Sequence, residues 1–120
     1  MRKFIKSFKF AKTGLRTVLK EERYFKTGIV VGILTIIGSF IFRLSYFEKA
    51  VIILCITIVI AAEIVNTAIE DLCDKIEPNQ DPVIGKIKDV SSAFVLVTAI
   101  GVTIVGLIIF GNHFLDIFYS

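Results

Sequence analysis

The sequence predicts an all-α membrane protein, in which an amphipathic surface helix is followed by three transmembrane helices. Three observations lead to this prediction. Hydrophobic residues make up 55% of the 120 residues and the mean hydropathy is +0.80, which is more apolar surface than one small soluble core can bury. Basic residues concentrate ahead of the first long apolar stretch, and three such stretches follow. We expect one membrane domain covering residues 1–120.

Residues 1–26 are predicted to form a helix that lies on the membrane surface. They hold nine of the fourteen basic residues. Apolar residues recur between these at spacings of three and four, at Phe4, Ile5, Phe8, Ala11, Leu15, Val18 and Leu19. This period is typical of a helix with its apolar face in a bilayer. A basic segment can also bind nucleic acid, but the interleaved apolar residues favour the membrane, so we expect no nucleic-acid partner.

The three spans are predicted at residues 27–47, 50–74 and 90–115, each built on an apolar stretch. The segment between the last two spans, 75–89, contains both prolines of the chain and is predicted to be a loop. Three basic residues lie in this loop, whereas only Arg43 and Lys49 lie around the connection between the first two spans. The excess of basic residues predicts that the N-terminus and the long loop face the cytoplasm.

A polar stripe runs along the cytoplasmic half of the second span. At ~100° per residue, Glu63, Asn66, Glu70 and Asp74 fall within an arc of roughly 80° on one helix face. A charged group at membrane depth costs about 2.5–3.5 kcal/mol, so these acids need a cation, a partner or water. Oxygen ligands without clustered histidine or cysteine suit Mg²⁺, which in proteins usually binds one or two carboxylates together with substrate phosphates. The stripe therefore points to a nucleotide.

Two further features are weaker on their own. Lys88 can offer a positive charge to a phosphate, and Asp89 with Ser91 or Ser92 can cap the helix that enters the third span. Glu22 lies within the basic segment. It either pairs locally with a lysine or reaches the same cation as the stripe.

The residues of the stripe and of the loop together resemble the signature of the bacterial diacylglycerol kinase and undecaprenol kinase family. The matching pattern is Glu63-x-x-Asn66-Thr67-Ala68-Ile69-Glu70-x-x-x-Asp74, followed after the loop by Lys88-Asp89-x-x-Ser92-Ala93. The resemblance covers nearly the whole chain. It implies a homotrimer of three-span subunits in the bacterial inner membrane, with active sites at the cytoplasmic membrane border between subunits. It also implies ATP as co-substrate, Mg²⁺ as cofactor and a membrane lipid as acceptor.

The resemblance assigns roles residue by residue. It implies that Glu63 is the general base for the lipid hydroxyl and that Glu22 and Glu70 bind Mg²⁺, with Asn66 beside these ligands as a second catalytic residue. The implied nucleotide contacts are Phe10, Glu22, Glu70, Asn79, Gln80, Asp81, Lys88 and Asp89. The implied lipid contacts are Lys3, Glu63 and Ser92. Phe10 stands where the family often has a tyrosine, so a hydroxyl is missing from the implied nucleotide site.

Three alternatives stay open at this point. Diacylglycerol and a polyprenol such as undecaprenol are both candidate acceptors, because the signature residues do not distinguish them. The chain could instead be a small oligomeric cation channel or transporter subunit that uses the acidic stripe as its pathway. That hypothesis gives no role to Lys88, Asp89 or Glu22. A structural stripe buried between helix copies explains the carboxylates least well, because each added buried polar group raises the desolvation cost.

Overall fold

The structure, a computed structural model, describes residues 1–119 apart from the side chains of Arg23 and Tyr24. This part of the chain forms four helices, which are joined by short connections. The helices are α1 (Arg2–Glu21), α2 (Arg23–Ile41), α3 (Tyr46–Ile76) and α4 (Pro82–Tyr119). The α3–α4 pair makes the most extensive contact, α2 packs on α3, and α1 touches both α2 and α3. The all-α class predicted from the sequence is confirmed.

Two of these helices are long and apolar enough to cross a membrane. They are α3, with 31 residues, and α4, with 38 residues. There is a third span only if α1 and the Phe25–Ile41 part of α2 together form one span. These two helices are bent by 102° relative to each other. Large apolar side chains are exposed along α2, α3 and α4, as expected where lipid or another protein surface covers them. The first span and the surface position of α1 stay predictions.

The α1–α2 corner falls at Glu22. Its backbone is extended, with φ −101° and ψ 108°, and its N–H donates to the carbonyl of Val18 at 2.8 Å. Val18 and Phe25 are buried on either side of it, with 7% and 2% of their surface exposed. These two apolar side chains fix the corner. The sequence placed the end of the first helix at residue 26, four residues beyond the corner.

Helix α3 begins with a capping box. The Ser45 hydroxyl accepts a hydrogen bond from the Glu48 N–H at 3.1 Å, and the Glu48 carboxylate accepts one from the Ser45 N–H at 3.0 Å. From there the helix is unbroken to Ile76, through the whole polar stripe. The second half of α3 therefore holds the stripe in one rigid register.

The long loop predicted at 75–89 is wrong in its extent. Helix α3 continues to Ile76 and α4 begins at Pro82, so the connection is only residues 77–81. Proline is tolerated at the first helical position, where its missing N–H needs no partner. The Asp81 carboxylate caps the new helix, accepting from the N–H groups of Val83 and Ile84 at 3.0 Å each.

The same finding corrects the predicted cap at the third span. Asp89, Ser91 and Ser92 lie inside α4, beyond its first two turns, so they do not cap it. The helix also continues past the predicted end at residue 115, as far as Tyr119.

An apolar cleft of about 370 Å³ lies between α2, α3 and α4, away from the polar stripe. Gly32 on α2 faces Ile56 on α3 here, and a Cβ at Gly32 would meet the Ile56 Cγ2 at 3.1 Å. Phe110 of α4 also lines the cleft and packs edge-on against Phe42, with ring centroids 5.7 Å apart. Apolar contacts around the cleft join the three helices.

Candidate active site

The polar stripe of α3 faces α4 through its most buried member, Asn66. Only 9% of Asn66 is exposed. Glu63 and Glu70, one turn before and one turn after it, are partly exposed, whereas Asp74 is exposed. The four groups occupy successive turns of α3, as the helical period predicted.

A chain of two hydrogen bonds crosses from α4 to α3 at this level. The Ser91 hydroxyl donates to the Asn66 Oδ1 at 2.7 Å. The Asn66 Nδ2 then donates to the Glu70 Oε1 at 3.2 Å. Ser91, like Asn66, is buried, with 5% of its surface exposed. Glu70 is thus connected to α4 through a buried amide.

Lys88 and Asp74 form a second link between the helices. The Lys88 ammonium donates to the Asp74 carboxylate, and both side chains are partly exposed, at 38% and 59%. The sequence predicted that Lys88 contacts a phosphate. In this structure the Lys88 ammonium instead forms an ion pair with Asp74, in the open region where α3 ends and α4 begins.

Glu22, Glu63 and Glu70 come together where the α1–α2 corner meets α3. The charges of Glu22 and Glu70 both act on Glu63, so each of these two carboxylates lies within electrostatic range of Glu63. Among the described residues, no side chain donates a hydrogen bond to Glu63. Three acids near one another, one of them without a donor, repel each other unless a cation or a proton is supplied.

The carboxylates of this site do not form a complete metal site by themselves. Within the described part of the chain, no group of three or more histidine, cysteine, aspartate or glutamate side chains is arranged to hold a metal ion by itself. Mg²⁺ does not require such a group, because it usually takes one or two carboxylates and completes its shell with waters and substrate phosphates. The oxygen donors of Glu22 and Glu70 fit Mg²⁺ on those terms.

The α3–α4 connection borders an open pocket of about 600 Å³. Asn79, Gln80, Asp81 and Lys88 line it, four of the positions predicted to bind nucleotide. The pocket therefore contains residues of the connection together with Lys88 of α4. Asp89 is exposed on α4 and is not among the lining residues.

The positions predicted on α1 are exposed. Phe10 has 75% of its surface exposed, and Lys3 is exposed near the start of the helix. Neither lines the pocket beside Lys88.

The two adjacent serines of α4 differ in a way that the sequence did not predict. Ser92, predicted to contact lipid, is exposed, whereas Ser91 is buried against Asn66. The available signal was the three-residue spacing from Lys88 to Ser91, which puts both on one face of a helix. The predicted loop at 75–89 hides that signal, because the helical period relates Lys88 to Ser91 only if both lie on one helix.

Comparison with known proteins decides the family. The family model described as prokaryotic diacylglycerol kinase matches residues 9–110. The chain belongs to the prokaryotic diacylglycerol kinase family. The match spans α2 and α3, most of α1 and most of α4, and it includes the whole polar stripe and the α3–α4 connection.

Three curated members of the family are similar over most of their length. An undecaprenol kinase of Bacillus subtilis (strain 168) is 33% identical over 110 residues, which are 92% of this chain and 89% of that protein. A diacylglycerol kinase of Escherichia coli (strain K12) is 28% identical over 93% of this chain and 92% of its own. One from Haemophilus influenzae (strain ATCC 51907 / DSM 11121 / KW20 / Rd) is 27% identical over 88% and 92%.

The family resemblance inferred from the stripe and the Lys88–Asp89 pair is confirmed. So is the enzyme class, because this family member is a lipid kinase, a membrane transferase of lipid metabolism.

Proposed function

We propose that this kinase transfers the γ-phosphate of ATP to the hydroxyl of a membrane lipid alcohol, at the end of the α3–α4 pair where the polar stripe lies. The observation that carries the proposal is the position of Glu63 within electrostatic range of both Glu22 and Glu70. A pocket that contains Lys88 lies at the same end of the helices. Phosphoryl transfer needs mainly positioning and neutralisation of phosphate charge, and these groups can supply both.

Glu63 is proposed as the general base. Its carboxylate receives no hydrogen bond from the described side chains, so it is free to accept the proton of the lipid hydroxyl. The lipid oxygen forms a bond to the γ-phosphorus as the bond from that phosphorus to the bridging oxygen breaks. The electron pair leaves with ADP, and the hydroxyl proton passes to Glu63.

Glu22 and Glu70 are the proposed Mg²⁺ ligands. The ion supplies positive charge that neutralises the phosphates of ATP. The Asn66 amide, which donates to Glu70, holds one of these carboxylates in place. Relief of the repulsion on Glu63 favours the uptake of a cation together with the nucleotide.

The nucleotide is proposed to lie along the α3–α4 connection. Asn79, Gln80 and Asp81 line the pocket there, and Lys88 can turn from Asp74 to a phosphate oxygen. Asp89 and Phe10 complete the proposed contacts, with the Phe10 ring offering a stacking surface. Lys3 and Ser92, both exposed, are the proposed contacts to the lipid acceptor together with Glu63.

The acceptor is either diacylglycerol, giving phosphatidic acid, or undecaprenol, giving undecaprenyl phosphate. Relatives carry both names, which supports the pair without separating its members. An apolar groove discriminates weakly between such chains, because added methylenes change affinity only modestly.

We further propose the membrane arrangement that the sequence predicts. The chain has three spans, a surface helix and a cytoplasmic N-terminus, and it forms a homotrimer in the bacterial inner membrane. The exposed apolar side chains of α2, α3 and α4 support burial against lipid and other subunits. The basic residues of α1 support its position at the cytoplasmic leaflet.

The test is transfer of labelled γ-phosphate from ATP, with Mg²⁺, to diacylglycerol and to undecaprenol in separate micelle assays. We expect transfer to at least one lipid, and a loss of about 100-fold or more in Glu70→Gln. Asp71→Asn is the matched control, since Asp71 is the next acid on α3 and is exposed. It should keep wild-type activity.

Two results would overturn the proposal. One is no transfer to either lipid by folded wild-type protein. The other is equal activity in Glu70→Gln and Asp71→Asn, which would remove the stripe from the chemistry.

A further inference from the structure

We propose that Ser91 is a positioning residue of the kinase site, acting on the metal ligand Glu70 through the Asn66 amide. This inference rests on the proposed function, because it takes Glu70 as a Mg²⁺ ligand. It adds a residue of α4 that the sequence analysis considered only as a helix cap.

The hydrogen-bond chain can run in only one direction while Glu70 is ionised. A carboxylate accepts hydrogen bonds and donates none, so Asn66 must turn its Nδ2 towards Glu70. The Oδ1 then points away and needs a donor. Ser91, whose hydroxyl lies 2.7 Å from that oxygen, is the donor.

Without the Ser91 hydroxyl, the orientation of the amide is no longer fixed. Asn66 has 9% of its surface exposed and Ser91 has 5%, so bulk water has little access to replace the lost donor. The amide is then able to rotate, and rotation takes the Nδ2 away from Glu70. The Glu70 carboxylate loses the hydrogen bond that holds it in place.

Burial distinguishes Ser91 from its neighbour. Ser92 carries the same hydroxyl but is exposed on a different side of α4. Ser91 also lies one turn after Lys88, which pairs with Asp74 of α3. The face of α4 that contacts the stripe therefore contains both residues, and only Ser91 reaches the buried amide.

The first measurement is metal binding, followed through the electron paramagnetic resonance signal of Mn²⁺ with a non-hydrolysable ATP analogue. Ser91→Ala should weaken Mn²⁺ binding by roughly 10-fold, the lower end of what loss of a group behind a metal ligand costs. The half-saturating Mg²⁺ concentration for phosphate transfer should rise by a similar factor. Loss of folding alone would change the amount of active protein and leave that concentration unchanged.

Ser39→Ala is the matched control. Ser39 is also a buried serine, with 3% of its surface exposed, but its hydroxyl donates to the Ile36 carbonyl of its own helix. The same chemical change there should leave Mn²⁺ binding within about two-fold of wild type, the spread that a change remote from the site allows.

A second pair of variants serves if Ser91→Ala does not fold. Ser91→Thr keeps the hydroxyl and Ser91→Val replaces it with a methyl group of similar size. We expect Ser91→Thr to bind Mn²⁺ more tightly than Ser91→Val, by roughly 10-fold. Equal Mn²⁺ affinity in these two variants would overturn the inference, as would a Ser91→Ala variant with wild-type metal dependence.

The outcomes separate this inference from the proposed function. If wild type phosphorylates a lipid and the Ser91 variants bind Mn²⁺ normally, only the positioning role fails. If the variants lose Mn²⁺ affinity while wild type phosphorylates neither lipid, the link from Ser91 to the metal stands and the proposed reaction fails.

Discussion

The two ends of the α3–α4 pair both carry acidic side chains, but they use them differently. At the end where α3 begins, the Glu48 oxygens both lie 3.0 Å from the Nε2 of His113 on α4, and one of them also accepts from the Ser45 N–H. At the opposite end, Glu63 has no donor among the described side chains, and Glu22 and Glu70 repel it.

This difference separates structural acids from acids kept for binding. A carboxylate that accepts hydrogen bonds from protein donors stabilises the fold. A carboxylate that faces other carboxylates lowers the stability until a ligand binds. The two ends thus predict opposite effects for the same substitution.

The largest expected effect comes from comparing Glu63→Gln with Glu48→Gln. Glu63→Gln should lower kcat by about 10²–10⁴-fold, the usual contribution of a general base. It should also keep or raise the melting temperature, because the charge that Glu22 and Glu70 repel is removed. Glu48→Gln should keep kcat and lower the melting temperature. Phosphate-transfer assays and thermal unfolding in one detergent measure both. Similar effects of the two variants would contradict the distinction.

His113→Ala sharpens the comparison from the α4 side. It removes the partner that joins Glu48 to α4, so the melting temperature should fall by several degrees while kcat and the KM for ATP stay unchanged. Thermal unfolding with activity measured on the same preparation checks this. A changed KM for ATP would mean that the two ends are coupled through the helices.

The helix caps offer a smaller test of the same contrast. Ser45→Ala and Asp81→Ala each remove a cap, from α3 and α4, and each should cost about 0.5–2 kcal/mol of stability. Only Asp81→Ala should also raise the KM for ATP, since Asp81 lines the pocket beside Lys88. Asp81→Asn, which keeps the cap, is the control for stability. A higher KM for ATP in Ser45→Ala would contradict the assignment of the pocket.

The smallest expected effect lies between the two ends, on α2. Gly28→Ala should stabilise the protein by up to about 1 kcal/mol from helix propensity, because the added Cβ has no atom within 4 Å. Gly32→Ala should gain less, because its Cβ would lie 3.1 Å from the Ile56 Cγ2. Unfolding temperatures of the two variants measure the difference. If Gly28→Ala is the more harmful, another subunit contacts Gly28.

Periodicity was sufficient to predict the helices and the stripe, since both follow from local rules. The register that sets Glu63, Asn66 and Glu70 on successive turns of α3 was correct because nothing interrupts that helix. The predicted loop is longer than the observed connection because proline and glycine usually disfavour helix. Pro82 instead occupies the first helical position, and the Asp81 cap stabilises the turn that contains Gly85.

The contact between Asn66 and Ser91 could not be predicted in the same way. It depends on how α4 is rotated and shifted against α3, and the packing of two helices decides this, whereas the period of either helix alone does not. The pairing of Lys88 with Asp74 has the same origin. Sequence patterns therefore indicated the polar residues of the stripe and Lys88, but not the contacts that α4 makes with α3.

The length of helix α4 also leads us to expect that the kinase is sensitive to bilayer thickness. Its 38 residues extend about 57 Å at ~1.5 Å per residue, whereas the hydrocarbon layer is only ~30 Å thick. A thinner or thicker membrane changes the tilt of such a helix. Lys88 and Ser91 are on the same unbroken helix as its apolar segment, so they move with that tilt relative to α3. We therefore expect lipid composition to alter the geometry of the proposed phosphate-transfer site through the tilt of α4.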